Sequence, residues 1–435
     1  MNNLSNFQVI LMGVIIGLIV LAMLVFSGVI PLGSKSGKAV PVTIWGMFPE
    51  EKMAETLSKA NNTNKTLFFL TYFQKKENYE ESFVDALASK SGPDILIITN
   101  EITLKNKDKF NLITFQTFSE RAFKDAFIEE AELFLNKDGI TAVPFAVDPI
   151  VLYWNRDLFN KAGLAEPPKF WDEFSGAAQA LTQIDKAKNI IQSGVAMGEF
   201  SNIAHAKEIL SLMVLQSGNP IIDQNIMKVL FGETNPASQI NPAEGALRFY
   251  ADFSNPSKDF YSWNRGISSD REIFIGGKLA MYFGYASELQ DIKESNPHLN
   301  FDVALVPQQR NFPIQATFGK IYAFAVTKGS LNSVAATQAA FGLAKIEIAQ
   351  EIAKKLGFIP VSREILSKGS GEPNLSVFYK SAIQAKGWLE PNTAKVSEIF
   401  KNMIESVSTG KKKVSEAVSD AKELLISELG KLQKD

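Results

Sequence analysis

Cysteine is absent from all 435 residues. No disulfide, thiolate metal site or thiol nucleophile can therefore be built, and no lipidated cysteine can tether the chain. Histidine is nearly absent too: there are two, His205 and His298. They share no metal-ligand spacing, and no metal site is expected. No G-x-G-x-x-G, P-loop, H-E-x-x-H or G-x-S-x-G occurs, so the common dinucleotide, nucleotide, zinc-protease and hydrolase designs lack their signatures. The expectation is no cofactor, no catalytic residue and no enzymatic activity. An excess of either charge is also missing. Lys and Arg number 45 against 47 Asp and Glu, for a net charge of -2. Beyond residues 411–413 no basic run stands out, and no nucleic-acid partner is expected. No repeat recurs at 20–50 residues.

What is present is globular: 46% hydrophobic and 21% charged. The length exceeds the roughly 250–300 residues a single core usually reaches, which favours two domains. Residues 9–32 carry no charge and are rich in Val, Ile, Leu, Met and Gly. As a helix they would extend about 36 Å, enough for a bilayer core of about 30 Å. They are read as an uncleaved transmembrane anchor after a short tail, 1–8, and before a Gly/Ser/Lys-rich linker, 33–41. A cleaved signal peptide competes, but its apolar core is normally shorter and preceded by a basic region. Lys35 and Lys38 follow the span, so charge alone would place the rest of the chain in the cytoplasm.

From residue 42 the pattern alternates. Strands are expected at 42–45, 66–72 and 94–98, with helices at 50–60 and 79–89 between them. The uniformly apolar 95–98 suits a sheet covered on both faces. This is an open α/β sheet. A helix is expected over 120–135. Strands at 140–145 and 150–154 follow, parted by residues 146–149. Further helices are expected at 157–162, 171–182, 205–216, 243–253 and 334–346. Strands are expected at 279–283, 301–306 and 321–326, and the tail is helical at 395–407 and 414–429.

Four stretches carry a family resemblance. The first is Val42-Thr43-Ile44-Trp45-Gly46 with Ser91-Gly92-Pro93-Asp94-Ile95 about fifty residues on. The second is Ala142-Val143-Pro144-Phe145, leading through Leu152-Tyr153-Trp154-Asn155-Arg156-Asp157 to Pro167-Pro168-Lys169-Phe170-Trp171. The third is Phe274-Ile275-Gly276-Gly277-Lys278-Leu279-Ala280-Met281 with Gly284-Tyr285 beyond. The fourth is Leu356-Gly357-Phe358-Ile359-Pro360-Val361. In this order they resemble the extracellular solute-binding proteins of ABC importers, the broad family that includes maltose-binding protein. The resemblance implies a two-lobed periplasmic-binding-protein-like α/β fold with hinge crossovers, here preceded by the transmembrane helix. Lobe one would be 42–145 plus 316–361 and lobe two 149–312 plus 366–435, with crossovers at 144–149 and 313–319. It further implies a monomer that closes on a small solute, expected to be a mono- or oligosaccharide, and delivers it to permease subunits. The binding domain would lie outside a cell membrane that the chain crosses once, with the lipid bilayer as a partner through residues 9–32. A sensory or adhesion module without a permease, or a receptor for a peptide, is the alternative.

A sugar needs aromatic plates and a few placed polar groups. Six residues are expected to bind it. Trp45 ends the first strand, where open sheets place ligands, or else caps a core. Asp148 stands among apolar residues at the crossover, where the family places a polar ligand contact. Tyr285 follows Gly284, where relatives often carry a stacking aromatic. Trp263 lies in a polar loop, Phe318 beside Gly319 at the second crossover, and Trp388 after Gly387. Glu288 reads as a helix-start carboxylate. Few acids are expected in the cleft, which favours a neutral solute.

Overall fold

The structure is a computed structural model describing residues 39–187, 189–234 and 241–433. The strand Ile95–Thr99 is buried at every position. It pairs in parallel with Val40–Gly46, which pairs in parallel with the edge strand Phe68–Gln74. The intervening helices Glu50–Thr63 and Tyr79–Ala88 bury Met53, Leu57 and Ala60, and Phe83 and Ala86, respectively. Each spacing is one helical stripe facing the sheet. Strand, helix, strand, helix, strand is thus read correctly to within about three residues, because each element is set by its own apolar period.

Two long strands join this sheet to a second one. Val143–Asn155 runs 13 residues, about twice the usual strand. Its first half, through Pro149, pairs with Thr317–Val326, with Asp148 opposite Lys320 and Pro149 opposite Gly319. Its second half changes partners, to Leu279–Tyr285 on one side and Phe301–Ala304 on the other. The second sheet continues through Ile190–Val195. Thr317–Val326 binds Ala385–Lys386 at its start and Ile95–Thr99 at its end. The result is a two-lobed α/β fold of the periplasmic-binding-protein type. Its curled sheet is shared by both lobes through the crossing strands.

Three elements differ from expectation. Residues 146–149 do not divide two strands. The strand runs straight through, because a new partner takes over where Pro149 has no N–H to offer. The helix expected over 120–135 ends at Ala126. There Phe127 bridges Ser362 and the Ile128 N–H donates to Val361, so a tertiary pairing overrides the helical period. The helix at 334–346 is two, Ser333–Leu343 and Ile346–Leu356.

The membrane reading is corrected. Among the described residues no helix is long and apolar enough to cross a membrane. The longest, Val414–Lys431, carries six charged side chains and buries only one face. The expected anchor, residues 9–32, lies outside the described residues. The single-pass membrane placement, the transmembrane helix and the bilayer partner are therefore withdrawn.

Candidate functional site

The crossing strands place Asp148 and Lys320 directly opposite each other, and cross-strand partners share a face. By alternation Phe318 and Tyr322 lie on the Lys320 side. The Lys320 ammonium reaches Glu101 Oε2 at 3.1 Å. Glu101 belongs to the helical turn Asn100–Thr103 that follows the buried strand of lobe one. The other Glu101 oxygen accepts from Lys207 at 3.1 Å, and Lys207 also donates to Glu390 at 2.6 Å and lies 3.5 Å from Glu208. Lys207 and Glu208 open the lobe-two helix Ala206–Leu215, which is buried at every position. Glu390 lies in the C-terminal segment. Lobe one, lobe two, a crossing strand and the C-terminal segment thus meet in one buried ion cluster.

The cluster sets its own protonation. Burial works to raise the Glu101 pKa, but Lys207 and Lys320 outweigh it and hold it at about 2. Glu390 keeps one cation and is fully enclosed, and burial pushes it up to about 8. Asp148 is likewise raised by burial to about 7, although the Ser287 N–H at 3.0 Å and Oγ at 2.6 Å donate to it. Burial would lower the Lys207 pKa, but Glu390, Glu208 and Glu101 raise it well above the usual lysine value.

Tyr285 ends the lobe-two strand at this place. The Tyr153 hydroxyl donates to its carbonyl at 2.7 Å, and the His205 ring meets its ring edge-on at 4.8 Å. The Lys320 ammonium stands 5.3 Å from the ring centroid. The Tyr285 hydroxyl is buried and has no partner among the described residues. Burial, and after it the charges of Glu208, Glu101 and Asp148, push its pKa well above the usual tyrosine value. His205 and the Tyr285 N–H both hold Glu288 Oε1 at 2.7 Å, and Tyr282 holds its other oxygen at 2.6 Å. Glu288 is thus the helix-start carboxylate its position suggested, and it anchors the backbone of Tyr285.

The six expected residues divide. Asp148, Tyr285 and Phe318 lie at or beside the cluster. Trp388 is buried two residues before Glu390, and its carbonyl accepts from Asn100 of lobe one at 3.1 Å. Trp45 is half-buried in lobe one with the Lys75 ammonium 4.4 Å from its ring centroid. Trp263 is fully buried in lobe two; its backbone N–H donates to the Phe253 carbonyl and the adjacent Ser262 hydroxyl to the Val195 carbonyl, while its indole N–H finds no partner among the described residues. Glu101, Lys207, Glu208, Lys320 and Glu390 escaped sequence reading. Two signals were available: Glu101 follows the most apolar strand, and Lys320 is the only charge in its strand. The site is far richer in acids than expected. A groove of about 750 Å³ opens beside Ser287, between that segment of lobe two and Lys52, Lys354 and Phe358 of lobe one. Among the described residues, no three His, Asp or Glu side chains are arranged to hold a metal.

A family model described as "Bacterial extracellular solute-binding protein" matches residues 44–375. A binding protein of Brucella abortus is 24% identical over 315 residues, covering 69% of this chain and 70% of its own length. The sn-glycerol-3-phosphate-binding periplasmic protein of Escherichia coli is 25% identical over 299 residues, 64% of this chain and 65% of its own. The cyclic alpha-maltosyl-1,6-maltose binding protein of Arthrobacter globiformis shares the fold at a TM-score of 0.74 and 19% identity, covering 90% of this chain and 99% of that one.

Proposed function

The chain belongs to the bacterial extracellular solute-binding proteins, and from that premise we propose that it captures a small polyhydroxylated solute, a mono- or oligosaccharide, by lobe closure and passes it to an ABC permease. The family is a non-catalytic class, related to the sugar-binding receptors of ABC importers. The observation that carries the reading is the buried site at the lobe boundary. It draws Glu101 from one lobe, Lys207 and Tyr285 from the other, and Asp148 and Lys320 from the crossing strands. A solute held there touches both lobes, so its binding energy favours the closed form. In this reading the lobes are 42–145 with 316–361 and 149–312 with 366–435, and the crossovers are 144–149 and 313–319. Tyr285 supplies the plate and Asp148 a hydroxyl acceptor; Trp45, Phe318 and Trp388 line the approach, and Trp263 supports lobe two from within.

A phosphorylated solute, as the Escherichia coli relative's name states for that protein, is disfavoured here because four acids would face the phosphate. A sensory or adhesion module without a permease would use the same site. A thermal-shift screen of the purified protein against mono- and oligosaccharides, peptides and glycerol phosphate tests the reading. A solute that binds the native state raises the midpoint. The expected response is to a saccharide, reduced by Tyr285→Ala by about 2 kcal/mol of binding. A response to peptides alone would retire the sugar reading.

A further inference from the structure

Four carboxyl groups face the lobe boundary, Glu101, Glu208, Glu390 and Asp148, against two ammonium groups, Lys207 and Lys320. Five of the six residues are classed as buried, and Lys320 is largely so. A buried excess of charge is costly unless it is paired or neutralised. The lysines that line the neighbouring groove do not make up the difference: Lys52 and Lys354 are exposed and screened by water, and Lys355 is paired with Glu55 and Glu351. Among the described residues, Glu390 Oε2, the Tyr285 hydroxyl and the Trp388 indole N–H are buried and also lack partners. One of these is an acceptor on an acid that has a single cation for company, and most buried polar groups do find partners.

We propose, resting on the solute-receptor reading above, that the solute carries a basic nitrogen among its hydroxyls and belongs to the amino sugars or closely related aminopolyols. An ammonium group beside Glu390 supplies both missing elements, a positive charge and N–H donors. The Tyr285 ring offers a face to the sugar C–H surface or to the cation itself. A neutral sugar would satisfy the orphan atoms and leave the excess to be neutralised by protons, whereas an acidic sugar would enlarge it. Without solute the excess is absorbed by protons. Glu390, facing Lys207, Glu101 and Glu208, is raised to about 8, and Asp148, facing Ser287, Glu288 and Lys320, to about 7. The ammonium of the solute takes over that neutralising part.

Calorimetric titration of the full chain with glucosamine oligomers of two and three units, with their N-acetylated forms, with maltotriose and with spermidine tests this. The free-amine oligomers are expected to bind about tenfold tighter than the acetylated ones, the difference that a hydrogen bond to a charged group makes. Glu390→Gln should bring the two series to within about threefold of each other. Because Glu390→Gln could disturb folding, Tyr285→Phe, which removes only the orphan hydroxyl, provides a second variant; it should weaken the free-amine series severalfold. Equal or tighter binding of the acetylated or neutral sugars overturns the amine and leaves the receptor reading standing. Tighter binding of spermidine overturns the sugar half. No heat from any free-amine compound overturns the proposal; the saccharide and peptide thermal-shift screen then decides the receptor reading on its own.

Discussion

Glu130 is a buried acid that the binding site does not use. Among the described residues neither of its carboxyl oxygens has a partner, and burial pushes its pKa up to about 8 despite the pull of Lys386. An acid raised in the folded state binds a proton that the unfolded chain has already released. Its neutral form is compatible with the fold below the unfolded value of about 4, and that benefit is lost as pH rises toward about 8. Stability should therefore fall across this window. Glu130→Gln should remove about one proton's share of the slope, roughly 1.4 kcal/mol per pH unit. Urea unfolding midpoints of both proteins from pH 5 to 8 measure it, and parallel curves would refute the assignment. Glu101 shows the opposite outcome for an equally buried acid: two lysines stand within reach, and its pKa falls to about 2. Proximity of cations, which no single residue's sequence neighbourhood reveals, separates the two.

At the scale of elements, the strand Thr317–Val326 does the most. It pairs with both Ile95–Thr99 and the other crossing strand, and it carries Lys320 to the lobe boundary. Its glycine is required by packing rather than by backbone angle. A Cβ at Gly319 would collide with the Glu130 carboxyl and with the Ala385 Cβ, and one at Gly387 would lie 2.6 Å from Glu130 Oε1. Gly319→Ala should cost about 1–3 kcal/mol, the usual penalty for overfilling a packed interior. It should also displace Lys320 and so weaken solute binding. Thermal denaturation alongside titration checks both effects; an unperturbed midpoint would show that Glu130 yields at no cost. The sequence marked a crossover near Gly319 and started the strand at 321. Of the missed residues, Thr317 and Phe318 pair with Ala385–Lys386, more than sixty positions away, and Gly319 and Lys320 with Pro149 and Asp148; local alternation carries no trace of those partners.

For the whole molecule, the decisive contact is Lys207 of one lobe on Glu101 of the other. Breaking a buried pair from one side costs about 3 kcal/mol or more, because the remaining charge is stranded. Lys207→Met leaves Glu101 with Lys320 and leaves Glu390 without its cation. The solute-free protein should then populate a more open form, with a radius of gyration about 1 Å above the roughly 22 Å expected for a compact chain of this size. Small-angle scattering of the variant and the unmodified protein reads the change. An unchanged radius in the variant would mean that other contacts hold the lobes. The Thr393 hydroxyl on the Glu101 carbonyl and the Asn100 amide on Trp388 are the ones to test next.

Local pattern was enough to determine the strand–helix alternation, the α/β class and the family, because each element buries a stripe or face of its own and the family motifs are short runs of chain. It also drew attention to Asp148 and Tyr285, a lone acid among apolar residues and an aromatic after glycine, whose part in binding is a proposal. Only the tertiary structure decided that Val143–Asn155 is one strand shared by two sheets, and that Trp263 packs as core. It alone brought Glu101, Lys207, Lys320 and Glu390, scattered over 289 positions, into one buried cluster. The physical reason is the same in each case. Hydrophobic period is a property of neighbours along the chain, whereas charge pairing and the exchange of strand partners depend on groups that meet only after the chain has folded.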